Sequence, residues 1–253
     1  MIDTRIELQP AFVLQVRQFR ETSLLLELFT RDFGIVAVLA KGVRKAKSKT
    51  ASLLQPFKEL LVSFTGRSEL KILVNVELAT SRMALEGWGI YCGFYINELV
   101  CHFLHKQDPH PEVYADYLAC LIALAKVIQQ DSDTLGANAT SSTYHPALEI
   151  ALRVFELNLM QHVGFALATD YDIQNQLPIK ESAHYFFQAD QGAVEHPRGT
   201  VSGKTLQALA NRQFNDAQTL AEAKQVMRHV IHFHLNGKPL KSRAIISKLQ
   251  QQL

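Results

Sequence analysis

The sequence predicts an α+β protein, with strands gathered in the first 80 residues and helices across residues 81–253. Three observations point there. Apolar and polar residues alternate with period two up to about residue 80, as on half-buried strands. From about Leu85 the spacing becomes helical, with Tyr91, Tyr95, Leu99 and Phe103 in one row and Cys92, Ile96, Val100 and Leu104 in the next. Charge divides in a similar way. Residues 1–80 carry twelve Lys/Arg against eight Asp/Glu, residues 81–223 eight against sixteen, and residues 224–253 six against none. Basic ends that flank an acidic middle suggest that nucleic acid is held by the ends, while the middle packs or meets proteins.

Residues 11–20 (AFVLQVRQFR) and 23–30 (SLLLELFT) read as the first two strands, with Arg31-Asp32-Phe33-Gly34 as the turn after them. Residues 35–40 (IVAVLA) are the third. Residues 53–65 read as a fourth, where Pro56 marks an edge or a bend. Gly66-Arg67-Ser68 is a turn and residues 70–79 the fifth strand. Five short strands in this length suit a small barrel of the OB type; strand count leaves an SH3-like barrel as the alternative. A second helix covers residues 113–129, after Pro109-His110-Pro111, and residues 131–144 (DSDTLGANATSSTY) read as a flexible loop. Pro146 opens a helix to Val163 that Gly164 ends. Residues 165–201 look irregular apart from a hairpin around 184–194, and helices over 202–209, 216–235 and 239–249 follow. The expected domains are a nucleic-acid-binding barrel over 1–80 and a helical domain over 81–253, with the irregular insert at about 165–201.

The segment 39–52 (LAKGVRKAKSKTAS) carries Lys41, Arg44, Lys45, Lys47 and Lys49 and no acid. A basic loop on a small β-scaffold suits a polyanion, because each cation that neutralises a phosphate releases counterions. Arg17, Arg20 and Arg31 would extend that DNA-binding surface, and Phe19 and Phe33 would stack on bases. The plainer reading is a solvated loop. Residues 237–248 (GKPLKSRAIISK) form a second basic element, with Lys238, Lys241 and Arg243 around a helix start that suits phosphate or carboxylate. Its plainer reading is a helix that neutralises the acidic middle. In residues 151–165 (ALRVFELNLMQHVGF), Arg153 and Glu156 are i,i+3; they either pair with each other, or Arg153 holds a carboxylate from a partner peptide.

No G-x-S-x-G, H-E-x-x-H, P-loop or G-x-G-x-x-G occurs, so no catalytic residue is assigned. Cys92, Cys101 and Cys120 form no C-x-x-C and read as small buried hydrophobes. His229 and His232 could share a helix face and His234 could not join them, which is too few ligands for a metal. Asp170 and Asp172 read as turn residues. No signal-peptide core and no run of about 18 uncharged apolar residues occurs, so the cytoplasm is expected. An RNA- or ribosome-associated barrel protein and an enzyme hidden in the helical body are the rival functions.

In order along the chain, AFVLQVRQFRETSLLLELFTRDFG, LAKGVRKAKS, LLQPF, YINEL at 95–99, ALRVFELNLMQHVGF, GKTLQALANRQFNDAQTLAEAK and NGKPLKSR resemble the RecO family of bacterial recombination mediators. The resemblance implies an OB-fold domain, a helical core and a cofactor-free DNA-repair factor that is not an enzyme. It implies binding of single- and double-stranded DNA, annealing of complementary strands, and engagement of the acidic C-terminal tail of single-strand-binding protein. RecR is the implied partner and RecA the indirect one, at the bacterial nucleoid. Arg153 is the residue the resemblance carries over to grip the tail. Many members hold zinc in a cysteine cluster after the F-E-L helix. Residues 168–177 (ATDYDIQNQL) have no cysteine here, so a zinc-free segment held by packing alone is expected.

Overall fold

Alternation in the first 40 residues produces three consecutive antiparallel strands, β1 (Ile6–Phe19), β2 (Ser23–Thr30) and β3 (Gly34–Ala40). Leu24, Leu26 and Leu28 of β2 and Val36, Val38 and Ala40 of β3 point inward and are buried. A bulge between Val13 and Gln15 breaks the β1 register. After a single 3-10 turn at Thr50–Ser52 come β4 (Leu60–Thr65) and β5 (Leu70–Leu78). β4 returns antiparallel to β1 and β5 runs parallel to β3, closing a barrel in the order β1-β2-β3-β5-β4. That closure is the OB arrangement and decides between the two barrels that strand count left open. The fourth strand is shorter than its apolar run: Pro56 has no N–H to give a ladder and Phe57 has a φ of +67°, so pairing starts only at Leu60.

The computed structural model describes residues 5–45, 48, 50–79, 84–135 and 145–252. The chain divides into two compact units, Met1–Gln130 and Asp131–Leu253. In the first, α1 (Gly87–Phe103) and all but the last five residues of α2 (Pro111–Leu135) follow the barrel. α2 reaches Leu135, so the first five residues of the expected loop are helical, and residues 136–144 lie outside the described residues. α1 buries Cys92, Ile96, Leu99 and Val100 on one face. On that face the Asn97 amide donates to the Leu14 carbonyl at 3.1 Å, beside the β1 bulge.

The α1–α2 connection also docks on the barrel, where Gln107 N–H donates to the Ile35 carbonyl at 3.0 Å and Lys106 pairs with Glu27 at 3.0 Å. Gly34, with φ +63°, makes room for it: a Cβ there would lie 2.1 Å from the Asp108 carbonyl oxygen. The left-handed backbone alone costs a residue with a Cβ about 1–2 kcal/mol. Gly34→Ala is therefore expected to cost more stability than that, read as a lowered urea midpoint; an unchanged midpoint would contradict the close approach.

In the second unit, α3 (Pro146–His162) begins with Pro146 in its first turn and the His145 ring accepting from Ala147 N–H. It ends in a Schellman motif, with Phe165 N–H on the Met160 carbonyl and Gly164 N–H on that of Gln161, at a Gly164 φ of +84°. Residues 165–201 are not irregular. They contain β6 (Tyr171–Asp172), β7 (Leu177–Pro178), β8 (His184–Gln188) and β9 (Gly192–Glu195), and with β10 (Val201–Ser202) these form a sheet ordered β10-β8-β9-β6-β7. The cysteine-free turn is held by more than packing. The buried Asp172 carboxylate accepts from Gln174 N–H at 2.9 Å and from the Asn175 amide at 2.6 Å. Burial alone would raise that carboxyl, but the hydrogen bonds from Gln174, Asn175 and the Glu195 backbone hold it below its usual range. The segment has no thiol for zinc and Asp172 is already engaged, so the residues present do not fit that metal.

α4 (Gly203–Asn211), α5 (Ala217–His234) and α6 (Lys241–Gln252) complete the unit. Glu222 of α5 closes the start of α4, accepting from Ser202 N–H at 2.8 Å, Ser202 Oγ at 2.7 Å and Thr205 Oγ1 at 2.7 Å. Burial pushes its carboxyl up, and these bonds with one from Gln218 outweigh that and lower it. A carboxyl depressed in the folded state contributes stability that is complete above its ordinary value of 4.5 and is lost as pH falls through the native value. Glu222→Gln is expected to remove that part of the acid-side dependence, read from urea midpoints between about pH 7 and 3.

Candidate nucleic-acid interface

Strand direction decides which cations meet. β1 ends at Phe19 and β3 ends at Ala40 on the same side of the barrel, where Phe19 pairs with Ser23 and Leu24 with Ala40. The β1–β2 turn and the start of the basic loop are therefore neighbours. Arg44 N–H donates to the Thr22 carbonyl at 2.9 Å, and the Arg44 guanidinium reaches the Arg20 carbonyl at 3.3 Å. These two bonds pin the loop to the turn. Between them opens a cleft of about 730 Å³, lined by Phe19, Arg20, Lys41 and Lys45 together with Thr22, Ser23, Leu39 and Gly42. Glu21 is also in its wall.

Lys41, Arg44 and Lys45 are exposed, and no carboxylate among the described residues pairs with them. Closely spaced cations left without counterions attract an external polyanion. The Arg20 guanidinium lies 5.4 Å from the Phe19 ring centroid, so one aromatic face is already flanked by positive charge. Arg17 sits two residues back on β1, on Phe19's side of the strand, exposed and hydrogen-bonded to Gln15 at 3.1 Å.

The remaining predicted residues separate from this group. Arg31 is at the opposite end of β2, about 25 Å of strand away. It is bidentate to Asp32 at 2.9 and 3.0 Å, and this pairing raises the guanidinium and lowers the carboxyl from their ordinary values. The Arg31 charge is therefore matched by Asp32 at that end of the barrel. Phe33 is at that same end, edge-on to Phe64 with centroids 6.1 Å apart. Lys47 and Lys49 lie outside the described residues. Lys238, Lys241 and Arg243 belong to the second unit.

Arg153 is also in the second unit and takes the first of its two expected arrangements. Its guanidinium is bidentate to Glu156, with Nε donating to Oε2 at 2.7 Å and Nη2 donating to Oε1. The two side chains are 5% and 0% exposed. α3 turns this row of residues into the core.

Sequence reasoning missed the cleft's backbone frame. Only the strand register shows that Thr22 and Arg44 meet, across 22 residues of chain. Other reactive chemistry is muted. Burial pushes the Cys101 thiol up to about 11, against the thiolate form. Among the described residues, no group of three His, Cys, Asp or Glu side chains is placed to hold a metal ion. No helix among them is long and apolar enough to cross a membrane.

Comparison with known proteins gives the family. The family description "Recombination protein O N terminal" matches residues 4–82, and "Recombination protein O C terminal" matches residues 142–244. The chain is 40% identical to the DNA repair protein RecO of Methylococcus capsulatus over 246 residues, covering 96% of this chain and 93% of that protein. It is 37% identical to the DNA repair protein RecO of Nitrosococcus oceani over 252 residues, covering 98% and 95%. For that of Nitrosospira multiformis the identity is 35%, covering 98% and 97%. An OB barrel matched by one half of the family description, a helical unit matched by the other, and full-length relatives at this identity place the chain in the RecO family of DNA repair proteins.

Proposed function

We propose that this chain is a non-enzymatic recombination mediator that binds single-stranded DNA in the barrel cleft and anneals complementary strands. The observation that carries this reading is the gathering of Arg20, Lys41, Arg44 and Lys45 around Phe19 at one end of the barrel. Annealing needs no bond chemistry. Cations that screen two strands let them approach and find register. Phosphate contacts carry no base information, so binding is salt-dependent and tolerant of sequence. Lys238, Lys241 and Arg243 would add phosphate contacts in the second unit, for a second strand or for duplex DNA. Arg17 would extend the cleft along β1.

The same reading gives the chain the acidic tail of single-strand-binding protein as a partner, RecR as its co-mediator and RecA as the protein finally loaded, in the bacterial cytoplasm at the nucleoid. Arg153, salt-bridged and buried, would serve the tail by bracing α3 through Glu156 rather than by gripping a carboxylate.

The test is fluorescence annealing of complementary oligonucleotides across a salt series. It compares wild type with a variant carrying Lys41→Ala, Arg44→Ala and Lys45→Ala, with and without single-strand-binding protein. Each lost phosphate contact takes about 0.7 from the slope of log affinity against log salt, so the triple variant should flatten it by about 2. Unchanged annealing and slope would remove DNA from the cleft. Tighter binding of a matched RNA oligonucleotide would move the reading to RNA.

A further inference from the structure

One residue in the wall of the barrel cleft has the wrong charge for a phosphate site. Glu21 lines the cleft with Phe19, Arg20, Lys41 and Lys45, is exposed, and pairs with no cation among the described residues. The hairpin fixes its place. Phe19 pairs with Ser23, so Arg20, Glu21 and Thr22 form the turn. Arg20 enters that turn with a φ of +52°, a left-handed backbone that residues with a side chain rarely adopt. Arg44 then holds the carbonyls on both sides of Glu21, that of Thr22 through its N–H at 2.9 Å and that of Arg20 through its guanidinium at 3.3 Å. Both anchors tie the turn apex, and Glu21 with it, to the cleft.

An ionised carboxylate only accepts hydrogen bonds, and a phosphate diester has none to give. Towards the backbone of a strand Glu21 is therefore purely repulsive and works against the cations around it. A base edge is different. Guanine offers N1–H and N2–H side by side, a donor pair that matches the two oxygens of a carboxylate. Adenine and cytosine each offer one amino group next to a ring nitrogen that accepts, and thymine offers one N–H between two carbonyls. Those edges give a carboxylate at most one bond, with repulsion beside it. In a single strand such edges are open to side chains, and an aromatic ring holds the base that presents them. Phe19 is the ring in this cleft wall, two residues from Glu21.

We propose that Glu21 is a specificity-determining residue of the cleft, accepting from N1–H and N2–H of an unpaired guanine held beside Phe19. The phosphate contacts of the cleft are blind to sequence, and Glu21 supplies the contact in its wall that is not. The two N–H groups belong to the pairing edge of guanine, which a complementary cytosine occupies in a duplex. The contact therefore exists on a single strand and is given up as the strands anneal, after which the carboxylate repels the phosphates of the product. This inference rests on the single-strand reading of the cleft above.

The experiment is fluorescence anisotropy of the full-length protein with short thymine oligonucleotides that carry one central guanine, inosine, adenine or cytosine, beside an all-thymine control. Inosine keeps N1–H and lacks the N2 amino group. Wild type should bind the guanine oligonucleotide about fivefold tighter than the all-thymine one, with inosine between them. Glu21→Ala, at an exposed turn position, should bind the all-thymine oligonucleotide more tightly, because a like charge leaves the phosphate path, and should lose the guanine preference. Equal affinities of wild type for all the oligonucleotides would overturn the proposal, as would a guanine preference that survives Glu21→Ala. The variant with Lys41→Ala, Arg44→Ala and Lys45→Ala separates the two readings. If it binds the all-thymine oligonucleotide as wild type does, the cleft reading fails and this proposal falls with it. If it binds weakly while wild type shows no base preference, only the role of Glu21 fails.

Discussion

Glu156→Ala is expected to destabilise the second unit by about 3–5 kcal/mol, the cost of breaking a buried ion pair from one side. The guanidinium of Arg153 keeps its charge at any accessible pH, so without Glu156 it has neither water nor its bidentate partner. Arg153→Ala should cost a similar amount from the other side, because it removes the cation that faces a fully buried carboxylate. The double replacement Arg153→Met with Glu156→Leu should recover most of the loss, since an apolar pair of similar volume avoids both desolvation costs. Urea unfolding of the two single variants and the double variant forms the cycle. If the single variants lose less than about 1 kcal/mol, solvent reaches the pair and it is no core element.

Asn97→Leu comes next, with an expected cost of about 2–5 kcal/mol for the buried hydrogen bonds it removes. The Asn97 amide donates to the carbonyls of Leu14 at 3.1 Å and Val13 at 3.5 Å, and its carbonyl oxygen accepts from the Tyr117 hydroxyl at 2.5 Å. Burial pushes that hydroxyl well above its ordinary value, so it stays protonated and keeps donating. The two carbonyls flank the β1 bulge, where the ladder to β2 is interrupted. Leucine fills the space and satisfies neither end. The bulge also sets the course of the last turn-bound stretch of β1, which carries Arg17 and Phe19 towards the cleft. Asn97→Leu should therefore weaken oligonucleotide binding while leaving the salt slope unchanged, since no cation is removed. Tyr117→Phe should cost less, because only the Asn97 oxygen loses a partner. Equal costs for the two would mean that the bulge carbonyls find other donors.

The barrel was legible because β2 and β3 alternate cleanly, and a period of two fits a half-buried strand and no helix. The sheet of residues 171–202 was not: β6, β7 and β10 are two residues each, too short for any period to register. Their pairing depends on contacts such as Asp172 with Asn175 and the Tyr185 hydroxyl with Lys180 N–H. The basic loop was visible as composition, but composition has no ends. Arg31 is close to Arg20 in the chain, and eight residues of extended strand carry it to the far side of the barrel. For Arg153 the i,i+3 spacing revealed its partner and said nothing about how deeply the pair is buried.

Closure of the barrel by the β3–β5 and β1–β4 pairs has a consequence for how many copies can work side by side. A protein that gathers along one polyanion reaches high local concentrations, where an open sheet edge would template strand addition from one copy to the next. The closed barrel offers no such edge. The outer strands of the second sheet, β7 and β10, expose only two residues each. Crowding on a nucleic acid should therefore leave the copies separable when salt releases the strand, without a tendency to polymerise into β-linked aggregates.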